Sequence, residues 1–118
     1  MDALTRFFQE LYQNFNARQI ALVVAQMTKN VKWANGMEGG YVYGHEGVTD
    51  YWTRQFAVVS SNVTPLQIEI EDDVVKINVH QVVHDLAGNL LADEFVYHLF
   101  RLRDGKVAEF EIGEKIKA

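Results

Sequence analysis

The chain has 118 residues, 48% of them hydrophobic and 23% charged, with a formal net charge of −5 and no cysteine. That is enough for one domain able to bury roughly two thirds of its unfolded surface. An acidic balance without any basic cluster argues against nucleic acid as a partner, and the lack of cysteine excludes disulfides, a thiol nucleophile and a zinc–thiolate site. Near the N-terminus Asp2, Arg6 and Glu10 interrupt the apolar residues, so no signal-peptide pattern is present. The longest apolar run, Ile20 to Ala25, is far short of a membrane span. A soluble cytoplasmic protein is the expectation.

Leu4, Phe7, Phe8, Leu11, Tyr12 and Phe15 recur at helical spacing, which predicts one amphipathic helix from about Asp2 to Phe15. Asn16 followed by Gln19 fits a capping box opening a second helix with Ile20, Val23, Val24 and Met27 on one face. Val31 to Ala34 reads as a short strand that points Val31, Trp33 and Asn35 the same way. A glycine-rich loop, Gly36 to Gly40, leads into Tyr41-Val42-Tyr43; it carries no Lys-Ser or Lys-Thr and is no phosphate loop. After Gly44-His45-Glu46 a third helix buries Val48, Tyr51, Trp52, Gln55, Phe56 and Val59.

From Val63 the period becomes two. Leu66, Ile68 and Ile70 alternate with Gln67, Glu69 and Glu71, and Asp72-Asp73 turns the chain. Val75, Ile77, Val79, Gln81 and Val83 then face one way, opposite Lys76, Asn78, His80, Val82 and His84. The next turn runs from Leu86 to Asn89, and the last hairpin, Glu94 to Ile112, turns at Asp104-Gly105. A two-residue type I′ turn there would pair Arg103 with Lys106 and set His98 beside Glu111. A type I turn closed by a glycine bulge would pair Leu102 with Lys106 and put Val96, His98 and Phe100 on one face with Ala108, Phe110 and Ile112. The second arrangement separates an apolar face from a mixed one, as a half-buried sheet requires, and is the one expected. It leaves His98 as a lone titratable group on an apolar face.

Helices followed by long antiparallel strands imply an α+β domain with its helices on one side of an antiparallel sheet. A strongly curved sheet wrapped around the N-terminal helix leaves an apolar cavity where a small molecule would sit. Residues 1–113 are expected to form this single domain and 114–118 a short tail. His80 and His84 lie about 13 Å apart if both sit on one strand, too far to share a metal ion. Tyr97, Leu99 and Val82 on the outer face suggest cover by a second subunit, giving a homodimer.

The helix pair ending Val24-Ala25-Gln26-Met27, the strand Val31-Lys32-Trp33, the run Gly44-His45-Glu46-Gly47-Val48 and the hairpin from His98 to Val107 together resemble the superfamily of nuclear transport factor, ketosteroid isomerase and SnoaL-type polyketide cyclases. The resemblance covers nearly the whole chain and implies a cystatin-like, cone-shaped half-barrel. Similarity to ketosteroid isomerase implies that Tyr12 stands where that family has an oxyanion-donating tyrosine, and His98 where it has a protonated acid. The family's general base is an aspartate, and the matching position here is Asn35, which cannot accept a proton. Glu94 or Glu38 would have to take its part.

The expected pocket therefore has Tyr12, His98 and Glu94 as catalytic candidates and Trp33, Asn35, Trp52, Gln81 and Phe100 as ligand-binding ones, with no metal and no cofactor. The expected partner is a small apolar carbonyl compound. The implied chemistry is isomerase- or lyase-type proton transfer, with Tyr12 and His98 donating to an enolate oxygen. The alternatives are a non-catalytic binder of apolar ligands and a dimerisation domain whose cavity is filled by side chains.

Overall fold

The computed structural model of the protein describes residues 3–36, 38–71 and 73–115. Asp2, Met37, the turn residue Asp72 and residues 116–118 of the expected tail lie outside the described residues. The elements are α1 (Ala3–Asn16), α2 (Ile20–Val24), β1 (Met27–Ala34), β2 (Tyr41–Tyr43), α3 (Gly44–Phe56), β3 (Val59–Glu71), β4 (Val74–Asp85), β5 (Leu90–Arg103) and β6 (Lys106–Lys115). The strands form one six-stranded, curved and unclosed sheet in the order β2-β1-β6-β5-β4-β3. Every neighbouring pair is antiparallel except β1 and β6, which run parallel and insert the early strand beside the last. Residues 114 and 115, expected in the tail, continue β6.

The helical spacing of α1 buries Phe8, Leu11 and Tyr12 completely or nearly so. Phe8 meets Phe100 of β5 with ring centroids 4.8 Å apart, which seats the helix in the concave side of the sheet. From α3, Val48, Tyr51 and Trp52 enter the same core, and Trp52 packs edge-on against Trp33 of β1 at 5.2 Å. The second helix is a single short turn, and Met27, expected on it, opens β1 as a buried strand residue.

The capping box does not form. Gln19 stands at the N-cap of α2 and makes no side-chain cap bond. Asn16 instead reaches across to β3, donating from Nδ2 to the Val63 carbonyl at 2.8 Å and accepting the Val63 N–H on Oδ1 at 2.9 Å. One amide side chain there satisfies both backbone groups of a strand residue, a pairing worth more than a local cap when the strand would otherwise leave them bare. Arg18 adds to the seam, donating to the Ser61 carbonyl at 2.6 Å and to Ser60 Oγ at 3.0 Å, with its guanidinium over the Phe56 ring at 4.2 Å. Strand β3 consequently begins four residues earlier than the alternation suggested, at Val59 rather than Val63.

The last hairpin also departs from expectation. Asp104 and Gly105 both have positive φ, 52° and 77°, so the turn is the type I′ form and Arg103 pairs with Lys106. The glycine-bulge turn is not present. A bulge occurs further on: Leu102 pairs with Val107 but Arg101 with Glu109, leaving Ala108 as the inserted residue. That one-residue shift sets Phe100 opposite Phe110 and His98 opposite Ile112, so the apolar face is the expected one without Ala108. In β3 Leu66 and Ile70 are 53% and 56% exposed: Leu66 is the inserted residue of a bulge between Pro65 and Gln67, and Ile70 pairs with Val75 near the end of the β3–β4 hairpin.

Candidate functional site

The seam made by Asn16 and Arg18 fixes the C-terminal half of α1 over β3, β4 and β5, and between them lies a cavity of about 490 Å³. That is large enough for a drug-sized ligand, for which pockets of about 300–1,000 Å³ are usual. Its wall is mostly apolar, with a cluster of aromatic rings. Trp33 stacks on Phe110 at 4.1 Å, Phe15 meets Trp52 edge-on at 5.3 Å, and Phe100 closes the floor between β5 and α1. The two tryptophans and Phe100 are thus core residues and cavity wall at once.

Two polar side chains meet inside this wall. Tyr12 points from α1 and His98 from β5, and the tyrosine oxygen lies 2.7 Å from Nδ1 of the imidazole. Their rings are nearly parallel, 12° apart, and Phe100 and Phe110 meet the imidazole edge-on. His98 is 8% exposed and Tyr12 4%. Burial alone pushes the His98 pKa down to about 3 and raises that of Tyr12 well above the usual tyrosine range. Neither imidazolium nor tyrosinate is therefore favoured here, and the pair is neutral on both sides at physiological pH.

A neutral pair joined through Nδ1 has two arrangements. Either Tyr12 donates to Nδ1 and Nε2 carries the ring proton, or Nδ1–H donates to the tyrosine oxygen and Nε2 is bare. In the first the pair offers a ligand an N–H from Nε2; in the second it offers the phenolic O–H. The sequence expectation of two donors converging on one oxygen is altered by this bond, since one of the two protons is always spent within the pair.

The remaining expected residues divide. Gln81 and Glu94 face one another across β4 and β5 and line the cavity. Glu94 is four residues from His98 along β5, about 13 Å at the backbone, and lies on the same inward face of the strand. Asn35 is buried but does not reach the cavity wall. Its Oδ1 accepts the Glu38 N–H at 2.8 Å and its Nδ2 approaches Glu38 Oε1 at 3.4 Å, so it organises the β1–β2 loop. Glu38 lies on the outside of that loop, where Arg54 binds it at 2.9 Å. The Arg54 hydrogen bond, with help from Asn35, holds the Glu38 carboxyl below its ordinary pKa. As a proton shuttle in the cavity Glu38 is out of place.

Tyr51, Gln55 and Ser61 also line the cavity and were not among the expected site residues. Tyr51 accepts the Gly36 N–H on its hydroxyl at 3.1 Å, tying α3 to the loop at the cavity edge. The helical spacing already placed Tyr51 and Gln55 on the inner face of α3. Ser61 carried no such signal, because Val59-Ser60-Ser61-Asn62 alternates too weakly to read as a strand. On the outer face His80 pairs with Asp93 at 2.6 Å and stacks on Phe95, so it is engaged across the β4–β5 ladder rather than with His84.

Residues 8–110 match the family described as the SnoaL-like domain. Among solved structures, an NTF2-like protein of unknown function from Burkholderia pseudomallei K96243 is 21% identical, with a TM-score of 0.83 over 95% of this chain and 90% of that one. TerC, co-crystallised with polyporic acid, is 26% identical, with a TM-score of 0.77 over 86% of this chain and 83% of its own. A candidate polyketide cyclase from Pseudomonas putida KT2440 is 13% identical, with a TM-score of 0.76 over 88% and 85% of the two chains. No curated protein matches the sequence.

Proposed function

The chain belongs to the SnoaL-like domain family, and from that premise we propose that it binds an elongated apolar carbonyl compound and moves a proton on it. The observation that carries this reading is the Tyr12–His98 hydrogen bond, 2.7 Å long, set into an aromatic cavity of about 490 Å³. A polar pair in such surroundings is costly unless it meets a polar group of a ligand or is fully satisfied by itself. A carbonyl oxygen at this end would take the hydrogen bond the pair has left to give. Gln81 and Glu94 would hold a second polar group at the other end of the ligand. The likeness to TerC, whose crystals contained polyporic acid, is in keeping with a ligand of this kind.

A thermal-shift screen against small apolar ketones, steroids and polyketide-like aromatics tests the reading. A ligand that binds only the native state raises the melting temperature with its concentration, by about 2.7 kcal/mol of stabilisation at one hundred times Kd. The rise is expected to shrink in Tyr12→Phe and His98→Ala. A flat response across the panel, or an undiminished one in both variants, refutes it.

One observation favours a second reading, a binder without turnover. The position that resembles the general-base position of ketosteroid isomerase is Asn35, and its side chain is turned into the loop beside Glu38. Saturating binding without any change in the ligand would establish that reading. A homodimer through the outer face of the sheet fits the exposure of Phe95, 42%, beside half-buried Val82 and Leu99. Light scattering on the purified chain decides it, a monomer mass being the contrary result.

A further inference from the structure

We propose that Ser61 and Gln81 form a second polar subsite, which takes a hydroxyl group at the end of the ligand away from the Tyr12–His98 pair. The inference rests on the reading of the cavity as a site for a carbonyl compound, and adds to it the ligand class, an elongated hydroxy-ketone. The strand register sets the two ends apart. On β4, Ile77 pairs with His98 of β5, Gln81 pairs with Val63 of β3 and with Glu94 of β5, and Val83 pairs with Ser61 of β3. Ser61 therefore stands six strand residues beyond the level of His98, about 20 Å at the backbone. The concave curvature of the sheet shortens that span between side-chain tips, which suits a ligand of two or three rings. Val96, on the row between His98 and Glu94, lines the cavity with an apolar side chain. Along the strands the wall thus runs polar, apolar, polar.

Ser61 is 4% exposed, and its place is fixed through the backbone. Arg18 donates to its carbonyl at 2.6 Å and to Ser60 Oγ at 3.0 Å, while Asn16 holds both backbone groups of Val63. These contacts leave the Ser61 hydroxyl unspent on the cavity wall. Among the described residues neither that hydroxyl nor the Gln81 carboxamide has a hydrogen-bond partner, and both residues line the cavity. A buried polar group needs a partner, and one held rigidly at a cavity wall can take it from a ligand.

The donor and acceptor inventory of this row selects the ligand group. A serine hydroxyl and a glutamine carboxamide each donate and accept, and an ionised carboxyl such as that of Glu94, opposite Gln81, only accepts. A carboxylate has room for about four hydrogen bonds, so other contacts of Glu94 do not close it to a ligand. A ligand hydroxyl can accept from one of these groups while donating to another. A ketone or ether oxygen accepts only, and would leave the acceptors of the row unmet. The subsite therefore favours a hydroxyl over either.

Three compounds that share one ketone test the subsite on the full chain by isothermal titration calorimetry: 4-acetyl-4′-hydroxybiphenyl, its 4′-methoxy analogue and 4-acetylbiphenyl. The hydroxy compound should bind about 10-fold tighter than 4-acetylbiphenyl, the value of one buried hydrogen bond. The methoxy compound should bind no tighter than 4-acetylbiphenyl. Ser61→Ala and Gln81→Leu should each lower the hydroxyl advantage while keeping the affinity for 4-acetylbiphenyl. Tyr12→Phe should weaken all three compounds alike. No hydroxyl advantage, a methoxy compound as tight as the hydroxy one, or an advantage that survives both Ser61→Ala and Gln81→Leu overturns the subsite and leaves the cavity reading standing. An advantage abolished by Tyr12→Phe places the hydroxyl at the other end and overturns the subsite too. Failure of all three compounds to bind overturns the cavity reading and the subsite with it. Intermolecular NOEs in the wild-type complex need no variant: ring protons beside the hydroxyl should contact Ser61, and contacts with Tyr12 or His98 in their place would refute the assignment.

Discussion

Lowering the pH should destabilise this protein through His98 in a window set by its burial. In the unfolded chain the imidazole titrates near its ordinary value of about 6.5; in the folded state desolvation lowers it to about 3. Between these values the unfolded state binds a proton that the folded state refuses, so stability rises with pH across the window and falls as pH drops below about 6.5. Above about 6.5 both states hold a neutral ring and the term vanishes. Each pH unit inside the window costs about 1.4 kcal/mol, so at pH 5 the penalty is about 2 kcal/mol. That is a large fraction of the 5–15 kcal/mol typical of a domain, and corresponds to roughly 8 °C in melting temperature. Carboxylates titrate too, and His98→Gln separates their contribution, because glutamine can still hydrogen-bond Tyr12 but cannot take up a proton. Urea unfolding at pH 7.5 and pH 5 is the assay. The wild type should lose about 2 kcal/mol more than His98→Gln over that interval. Equal losses in the two proteins would refute the argument, since they would mean that the buried ring accepts its proton as readily as the unfolded one.

Asn16→Ala should cost about 1–3 kcal/mol despite its place at a helix end, because it strips both the N–H and the carbonyl of Val63 of their partner; a change within the ordinary range for surface sites in urea unfolding would show that water replaces the amide there. Asn35→Asp is expected to create no isomerase activity on a Δ5-3-ketosteroid, since residue 35 addresses Glu38 rather than the cavity. Limited proteolysis should instead cut the 36–40 loop faster, through repulsion between two adjoining carboxylates. A gain in turnover measured by absorbance of the conjugated product would contradict that placement.

Periodicity accounts for what was legible in the sequence. Apolar spacing places α1, α3 and the inward faces of β4 and β5 correctly, because each pattern is a property of one short segment and needs no partner to be read. The isolation of His98 on an apolar face follows in the same way, as do Tyr12, Trp33, Trp52, Gln81 and Phe100 as inward-facing groups. The parts that escaped depend on distant segments meeting. Asn16 has the composition of a local cap, yet it serves a strand residue 47 positions away. Ser61 reaches the cavity on a strand whose first residues have no alternation, held there by Arg18 from the end of α1.

By itself, then, the sequence determined the fold class and which residues face inward, since burial of alternating or helically spaced apolar groups leaves few choices of face. It did not determine the turn at Asp104-Gly105, where a compensating bulge at Ala108 allowed another turn type to yield the same faces. Nor did it determine what the inward polar groups do to one another. Tyr12 and His98 are 86 residues apart in the chain, and only the seating of α1 in the curved sheet brings them to 2.7 Å. The same packing sets Glu94 far down the strand from His98 and turns Asn35 to its loop. Faces are fixed locally by the backbone's own period; hydrogen-bond partners are fixed by the whole fold, because a donor and an acceptor must arrive within about 3 Å of each other before either has any preference for the other.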